Sequence, residues 1–460
     1  MALNQLSRRD FLRLSALGTA STMLAACAVA PAAAPSAGGA QAPAAATVNL
    51  QFWSEGAHEW AEEQIALYME QNPAVTVEYV TFKSQEMTPK LLTASAAGTA
   101  PNLTRQDRFR VAGWAGRGGA EPLTAYMEQY SVDPSVFWPA TWEECQWQGV
   151  TYAIPFNTDG RYVFWNKDIF AAAGLDPETP PPTHDWEAMI DLAVSLTQRE
   201  SDGVVNVMGF IPSQVLSNAY GNGGDYLYVW ANRGSFLIDD RTASLDSPEL
   251  QQVLQWQKDI VDAVGGIDVA AEFNAGWPTT AGFSPFGAGK LAMMVNGDWN
   301  IGDFARYYPD LNFGMAPWEI RNSPGEYTGF AGGFSLAIPA GAASLDETYR
   351  LLDFLASYDS QLSASIRYQF IPARKDAALS EELLASSSNP AQRKMANESM
   401  EYAHFRPVTP VAGEIHSYWV RPGTARDWVL YGEKDVATAC KDMQEAIQKA
   451  LDEYWVSIGA

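Results

Sequence analysis

The stretch TVNLQFW at residues 47–53 begins the segment from which the class of fold can be read. Its apolar residues alternate with polar ones, which predicts a half-buried strand. Residues 57–71 then carry apolar side chains at helical spacing, and residues 75–80 repeat the strand pattern. A helix that contains Leu91 and Leu92 follows. The order strand, helix, strand, helix predicts a parallel sheet with crossover helices.

The rest of the chain continues this mixed pattern. Residues 334–339 are predicted to form a strand. Helical spacing predicts further helices over residues 186–198, 248–264, 346–357 and 434–455. About 410 residues follow residue 46, which exceeds a typical single core, so two lobes are expected.

An export signal precedes this body. The stretch SRRDFLR at residues 7–13 places two arginines before a short apolar run and resembles the twin-arginine export consensus. The run is shorter than the roughly 20 apolar residues that a membrane-spanning helix needs. LAAC at residues 24–27 resembles a lipobox, so residues 1–26 are predicted to be a twin-arginine-type lipoprotein signal peptide and Cys27 the lipidated residue. The alternative is an ordinary secretory signal with a chance cysteine.

Residues 27–46 are almost entirely Ala, Pro, Gly and Ser, a composition that cannot bury a core. This segment is predicted to be a flexible tether. The protein is therefore expected outside the cytoplasm, anchored by its lipid to the cell membrane and facing either the periplasm or the cell surface.

Charge limits the choice of partners. The chain has 30 Lys and Arg against 54 Asp and Glu, a formal net charge of −24. Nucleic acid requires a basic surface, so no nucleic-acid partner is expected, and we expect a soluble monomer. The chain also has 16 Trp, 19 Tyr and 20 Phe, and Trp and Tyr rings can stack on sugars, although many of these rings must form the core.

Two cysteines lie beyond the anchor, Cys145 and Cys440. An extracytoplasmic compartment permits a disulfide between them, but no spacing pattern supports one. The alternative is two separate buried thiols.

Several short motifs carry a family resemblance. In chain order they are ASAAGTAPNL (94–103), GVTYAIP (149–155), FWNKD (164–168), AGL (173–175), PTHDW (182–186), GAGKLAM (287–293) with GDW (297–299), and IPAR (371–374). Together they resemble the extracellular solute-binding proteins of family 1, the carbohydrate-type, maltose-binding-protein-like receptors of ABC transporters. Asn102 departs from the family pattern, which has Asp at this position.

The resemblance implies an α/β, two-lobed, type II periplasmic-binding-protein-like fold. Lobe 1 would take residues 47–154 and 331–370, and lobe 2 residues 155–330 and 371–460. Crossing hinge strands would join the lobes, with the ligand cleft between them. General principles agree, because ligands collect at the carboxyl ends of parallel strands and between lobes.

Candidate ligand-binding residues come partly from this resemblance. Asp107 and Arg108 resemble a family pair that binds sugar hydroxyls, and Asp159, with Asn157 beside it, resembles a cleft carboxylate. Trp299 matches a Trp that stacks on sugar. The alternatives are a surface salt bridge for the pair, a turn cap for Asp159 and packing for the ring.

Other candidates follow from their position in the chain. Trp53 and Glu55 end the first strand, and Gly333 and Phe334 begin the returning strand, where glycine permits close backbone approach. The remaining candidates are Tyr220 and Asn222 in a glycine-rich loop, and Trp277, Trp318 and Arg374.

The sequence contains no H-E-x-x-H, G-x-S-x-G or P-loop motif. We therefore expect no enzyme, no cofactor and no metal site. The favoured function is a lipid-anchored receptor that captures a mono- or oligosaccharide and delivers it to the transmembrane subunits of an ABC permease. One alternative keeps the fold but binds a polyamine, a glycerol phosphodiester or a metal chelate, and another is a secreted polysaccharide hydrolase.

Overall fold

The structure is a computed structural model that describes residues 47–56, 58–212, 224–277, 284–420 and 423–459. The predicted signal peptide and tether, with Cys27, lie outside these residues, as do the candidates Tyr220 and Asn222. The described strands are Val48–Glu55, Val75–Phe82, Leu103–Asp107, Gln146–Trp147, Val150–Thr151, Ala153–Pro155, Asn157–Thr158, Arg161–Asn166, Gln198–Arg199, Val205–Val207, Met293–Gly297, Phe313–Ala316, Trp318–Ile320, Ser323–Phe330, Phe334–Ala337, Ile371–Pro372 and Ala403–His404.

Helices account for most of the other elements. The described α-helices are Glu59–Gln71, Ser84–Ala96, Val111–Ala115, Thr124–Tyr130, Pro139–Glu143, Lys167–Ala172, Trp186–Leu196, Gly224–Ala231, Pro248–Ala263, Ile267–Ala275, Asn300–Tyr307, Leu345–Ala356, Tyr358–Tyr368, Lys375–Ala378, Glu381–Ser386, Pro390–Glu398, Ala412–Val420, Ala425–Leu430 and Val436–Ser457. Short 3₁₀ turns occupy Arg108–Arg110, Pro134–Val136 and Ser399–Glu401.

The first sheet has five strands, and Val48–Glu55 pairs in parallel with Val75–Phe82 and with Leu103–Asp107. This pairing confirms the parallel arrangement predicted from the first residues of the body. Phe334–Ala337 adds to the sheet in antiparallel orientation, between Leu103–Asp107 and Ala153–Pro155. The returning strand predicted at 334–339 is therefore present.

The second sheet has three strands around Arg161–Asn166, which pairs in antiparallel orientation with Met293–Gly297 and with Phe313–Ala316. All six residues of the central strand are buried. Its four central residues, YVFW, form the continuous apolar run expected of a strand that is covered on both faces, while Arg161 and Asn166 are buried polar residues at its ends.

Two chain segments pass between these sheets, residues 156–160 and residues 331–333, and we call them together the crossing. Asp159 and Gly332 form an antiparallel bridge that joins the two segments. The strand Asn157–Thr158 also pairs with Ile371–Pro372, so a third passage of the chain lies beside them. The exact lobe boundaries given by the sequence stay a prediction.

Local sequence explains where several helices begin. The side chain of Asp185 accepts a hydrogen bond from the Ala188 amide at 3.0 Å, and that of Asp435 accepts one from Thr438 at 2.7 Å. Ser247 caps the helix Pro248–Ala263, which has proline at its first position. Such caps satisfy amides that lack a partner within the helix.

The core is divided between the two sheets. One large apolar cluster surrounds the second sheet and receives Cys440, Met443, Ile447 and Leu451 from the last helix, and another surrounds the first sheet. The C-terminal end of the last helix contacts a different part of the core. Tyr454 packs there in a smaller cluster with tryptophans of the first 150 residues. The helix Val436–Ser457 therefore contacts both halves of the body.

Cys145 and Cys440 are both free and buried, so they are separate thiols. Burial raises the pKa of Cys440 to about 12 and that of Cys145 higher still. Among the described residues, no helix combines the length and apolar character needed to cross a bilayer.

Candidate ligand-binding cleft

A cavity of about 1090 Å³ lies where the carboxyl ends of the first-sheet strands meet the crossing. Its wall includes seven of the predicted site residues: Glu55, Asp107, Asn157, Asp159, Trp299, Gly333 and Phe334. The remaining described wall residues are His58, Glu59, Trp60, Arg105, Phe109, Arg110, Thr158, Arg161, Tyr226, Asp298, Arg306, Phe330, Gly332, Arg367, Tyr368, Phe370, Arg406, His416 and Val420. The structure therefore brings half of the predicted set into one cavity.

Asp107 lies at the end of its strand and is held by Arg406, whose guanidinium is 2.6 Å from its carboxylate. Burial favours the neutral acid, but the positive charges of Arg406 and Arg110 outweigh it and keep the pKa of Asp107 below its ordinary value. Asp107 is thus an ionised acceptor in the cavity wall. The neighbouring carboxylate of Glu55 lies 3.7 Å from Arg110.

Arg108 does not line the cavity, because its side chain turns into the protein and has no exposure. Its Nε donates to Glu144 at 3.1 Å. Its terminal nitrogens donate to the backbone carbonyls of Asn157 and Gly332, one in each segment of the crossing. Arg108 therefore connects the first sheet to the crossing. Glu144 also accepts from Arg406 at 2.8 Å.

Asn157 and Asp159 both take part in the crossing while they face the cavity. The Asn157 side-chain oxygen accepts from the Phe334 amide at 3.2 Å. Asp159 pairs with Arg161 at 2.5 Å. The Arg161 guanidinium lies 4.7 Å from the ring centre of Trp299 and therefore covers part of its surface.

The guanidinium of Arg105 lies over the ring of Phe334, 3.6 Å from the ring centre. Arg105 is only 3 % exposed and donates to the Glu55 carbonyl at 2.9 Å. It also lies 2.8 Å from Nε2 of His58. Burial, and then the charge of Arg105, lower the pKa of His58 to about 4. His58 is therefore neutral at pH 7. A guanidinium can only donate, so Nε2 accepts this hydrogen bond in the tautomer whose ring proton is on Nδ1.

Five candidates lie outside the cavity wall. Trp53 packs against Phe82, with ring centres 4.8 Å apart. Trp318 is fully buried against Tyr228, and the partly buried Trp277 packs beside the core of the second sheet. Arg374 pairs with Asp376 at 2.7 Å, and Arg108 is occupied at the crossing as described above.

Sequence reasoning missed Arg105, Arg161, Arg406 and His58, which all line the cavity. A usable signal existed for Arg105. Side chains on a strand alternate between faces, so within 103–107 Arg105 must share a face with Asp107. Arg406 had no such signal, because it lies 262 residues from its partner Glu144.

The cavity can bind polar ligands reversibly. Its carboxylates and amides accept hydroxyl protons, its arginines donate, and its rings offer apolar surface. Within the described ranges, no group of three or more His, Cys, Asp or Glu residues could hold a metal ion.

Comparison with known proteins gives a family match over most of the chain. A family model described as bacterial extracellular solute-binding protein matches residues 63–393. A "Putative binding protein" of Brucella abortus is 24% identical over 370 residues, which cover 77% of this chain and 81% of that protein. The sn-glycerol-3-phosphate-binding periplasmic protein of Escherichia coli is 24% identical over 384 residues, 78% and 82% of the two chains.

Solved structures share the fold. A structure described as CpMnBP1 with mannotriose bound has a TM-score of 0.74 at 24% identity and covers 87% of this chain and 99% of its own. The likeness extends through both sheets and the segments that connect them, since so much of each chain is matched.

Proposed function

Since the chain belongs to the bacterial extracellular solute-binding proteins, we propose that it is a lipid-anchored receptor that captures a mono- or oligosaccharide and delivers it to an ABC-type permease. The family predicted from the motifs is confirmed, and so is the two-lobed, type II periplasmic-binding-protein-like α/β fold. Carbohydrate as the ligand, the anchor and the permease are the proposal.

One observation carries the proposal: hydroxyl-binding groups and aromatic rings meet in a single cavity beside the crossing. Asp107, Asn157 and Asp159 line it together with the rings of Trp299 and Phe334. A sugar offers hydroxyl groups at its edge and apolar C–H groups on its faces, and this wall has partners for both. The match to a mannotriose-bound structure supports the same choice of ligand.

A thermal-shift and calorimetry screen against mono- and oligosaccharides tests this function. We expect at least one sugar to raise the melting temperature and to change tryptophan fluorescence. Trp299→Ala should weaken that binding about tenfold, because the variant loses a ring in the cavity wall. Trp277→Ala is the matched control outside the wall and should bind normally. If no sugar causes a response, carbohydrate binding is refuted.

The alternative that this cavity is the active site of a hydrolase has less support. Asp107 and Asp159 are each paired with an arginine at 2.6 Å and 2.5 Å. A glycosidase needs one carboxyl group that holds a proton and can give it to the leaving group. Burial raises the pKa of Asp298, which also lines the wall, to about 6, but its two oxygens accept from the Gly160 amide at 2.9 Å and from Arg393 at 3.2 Å, so neither is left to protonate a glycosidic oxygen. Incubation with a bound glycan should therefore release no reducing ends, and their appearance would favour the enzyme.

The anchor and the permease extend the proposal to the membrane. A lipid on Cys27 and a tether formed by residues 28–46 would keep the receptor close to its permease, which would raise its effective concentration there. Cys27→Ser should move the protein from the membrane fraction to the soluble extracytoplasmic fraction without changing sugar affinity. Retention of the variant on the membrane would contradict lipidation at this residue.

A polyamine ligand is disfavoured by the cavity itself. A polyamine is cationic, yet the described wall carries the guanidinium groups of six arginines. Like charges at a binding site cost free energy unless carboxylates outnumber them.

A further inference from the structure

The cavity wall concentrates positive charge in an otherwise acidic protein. Among its described residues are six arginines, Arg105, Arg110, Arg161, Arg306, Arg367 and Arg406, against five carboxylates. The whole chain has 54 acidic and 30 basic residues. The cavity is therefore much richer in cations than the chain as a whole.

Most of these cations already have carboxylate partners. Arg161 pairs with Asp159, Arg406 with Asp107, and Arg367 with Glu63 at 2.7 Å. Arg110 lies 3.7 Å from Glu55. These arginines neutralise the acidic groups around the cavity and so reduce their repulsion of an anionic ligand.

Arg105 and the exposed Arg306 form no ion pair with a carboxylate among the described residues, and of these two only Arg105 is buried, with 3 % exposure. Arg105 donates to the Glu55 carbonyl and to neutral His58, and its Nε has no hydrogen-bond partner among the described residues. Burial lowers the pKa of Arg105 to about 10, so it remains charged at pH 7. The charges of Glu55 and Asp107 act on Arg105 from a distance and oppose the lowering of its pKa, but neither carboxylate forms an ion pair with it. A buried charge without a directly bonded counter-ion is costly unless something else supplies one.

The arginines also change what the aromatic rings can offer. Arg105 lies over Phe334 at 3.6 Å, and Arg161 lies over Trp299 at 4.7 Å and over Phe330 at 4.5 Å. A guanidinium that stacks on a ring keeps its N–H groups in its own plane, where they can reach an oxyanion. Part of the aromatic surface that a neutral sugar would cover is thus already occupied.

We propose that the ligand carries an anionic group, a carboxylate or a phosphate, that pairs with Arg105. The inference rests on the proposed function and narrows its ligand to acidic sugars, either uronates or sugar phosphates. Carboxylate and phosphate oxygens both accept two parallel hydrogen bonds from one guanidinium, so they share the chemistry that Arg105 recognises.

Matched ligand pairs test this on the unmodified protein. Calorimetry would compare glucose with glucuronate and with glucose 6-phosphate, galactose oligosaccharides with galacturonate oligosaccharides, and glycerol with glycerol 3-phosphate. We expect at least one acidic member to bind tenfold or more tightly than its neutral counterpart, with an affinity that falls as salt is added. Neutral members that bind as tightly as acidic ones overturn the inference.

Arg105→Met tests the residue itself. We expect the variant to lose at least tenfold in affinity for the acidic probe and to bind the neutral counterpart with less than a threefold change. Arg233→Met is the matched control, because Arg233 lies outside the cavity wall and its 61% exposed side chain pairs with Glu326. It should change the affinity less than threefold. If Arg105→Met does not fold, Arg105→Lys keeps the positive charge but lacks the planar pair of N–H groups, and it should lose affinity for the acidic probe only.

The outcomes separate this inference from the proposed function. Neutral sugars that bind with no acidic preference would leave the receptor proposal intact and refute the role of Arg105. Glycerol 3-phosphate that binds while no sugar of either kind does would support the anion site and refute carbohydrate as the ligand. An unchanged acidic preference in Arg105→Met would refute Arg105 as its source.

Discussion

Arg105 and Arg108 are three residues apart and equally hidden from solvent, with exposures of 3 % and 0 %, yet their surroundings are opposite. Arg108 donates to the Glu144 carboxylate and to backbone carbonyls in both segments of the crossing. Arg105 forms no ion pair with a carboxylate among the described residues and lies beside the neutral His58 in the cavity wall.

The difference shows how to separate two uses of a buried arginine. When the protein itself supplies the counter-ion and the acceptors, the side chain holds the fold together and is costly to remove. When donors are left over and a cavity lies beside them, a ligand can supply the missing charge. We therefore assign Arg108 to the architecture of the crossing and Arg105 to recognition.

The largest expected effect is on the stability of Arg108→Met. The substitution leaves Glu144 with one fewer cation and leaves the carbonyls of Asn157 and Gly332 without that donor. Breaking a buried ion pair costs about 3–5 kcal/mol, and urea unfolding followed by tryptophan fluorescence measures it.

Arg233→Met is the control for that measurement. Arg233 pairs with Glu326 at 3.1 Å, and both side chains are more than 60% exposed, at 61% and 63%. Exposed pairs contribute about 1 kcal/mol or less, so this variant should be almost as stable as the unmodified protein. If Arg108→Met costs no more than the control, the contrast between Arg105 and Arg108 fails.

The sequence alone could not have made this distinction. Asp107 and Arg108 are neighbours and were predicted to bind together, but Asp107 ends a strand and Arg108 begins a 3₁₀ turn. The change of backbone conformation sends Asp107 to the cavity and Arg108 into the interior. The acid that holds Arg108, Glu144, lies 36 residues away in another element.

The features that could be predicted from the sequence were those encoded in short stretches of consecutive residues. Alternation over 47–53 correctly indicated the first strand, and the motifs indicated the family, because both signals are contained in a few consecutive residues. Trp318 shows the limit of this approach. Its ring resembles a candidate for sugar stacking, but it is buried against Tyr228 and Trp256, which are distant in sequence.

A second, smaller effect is expected at Gly333, where the crossing passes Arg108. Gly333 has a φ of 109°, and a Cβ there would lie 2.6 Å from the Asn157 carbonyl oxygen and 2.9 Å from an Arg108 nitrogen. Gly333→Ala should therefore lower the free energy of unfolding by about 2–3 kcal/mol, from backbone strain together with steric conflict.

Gly341→Ala separates these two causes. Gly341 also has a positive φ, 79°, but nothing lies within 4 Å of the Cβ position. This variant should cost only about 1 kcal/mol, the strain contribution alone. Equal losses in both variants would mean that close packing of Gly333 against Arg108 adds nothing, and the crossing would be less tightly built than the structure indicates.

The smallest effect concerns His58, the neutral partner of Arg105. Its pKa in the folded protein is about 4, below the ordinary value of 6.5, because burial and the charge of Arg105 disfavour the protonated ring. The unfolded chain binds the proton more readily, so this contribution to stability is present above pH 6.5 and is lost as the pH falls toward 4. Between pH 7 and pH 5 the loss of stability should be about 1–2 kcal/mol.

His58→Gln tests this pH dependence, because it keeps an acceptor for Arg105 but does not titrate. Urea unfolding of the variant at pH 7 and pH 5 should show a correspondingly smaller loss of stability. If the variant loses as much stability as the unmodified protein, His58 is not held neutral. The proposal that a ligand supplies the counter-ion of Arg105 would then lose one of its supporting observations.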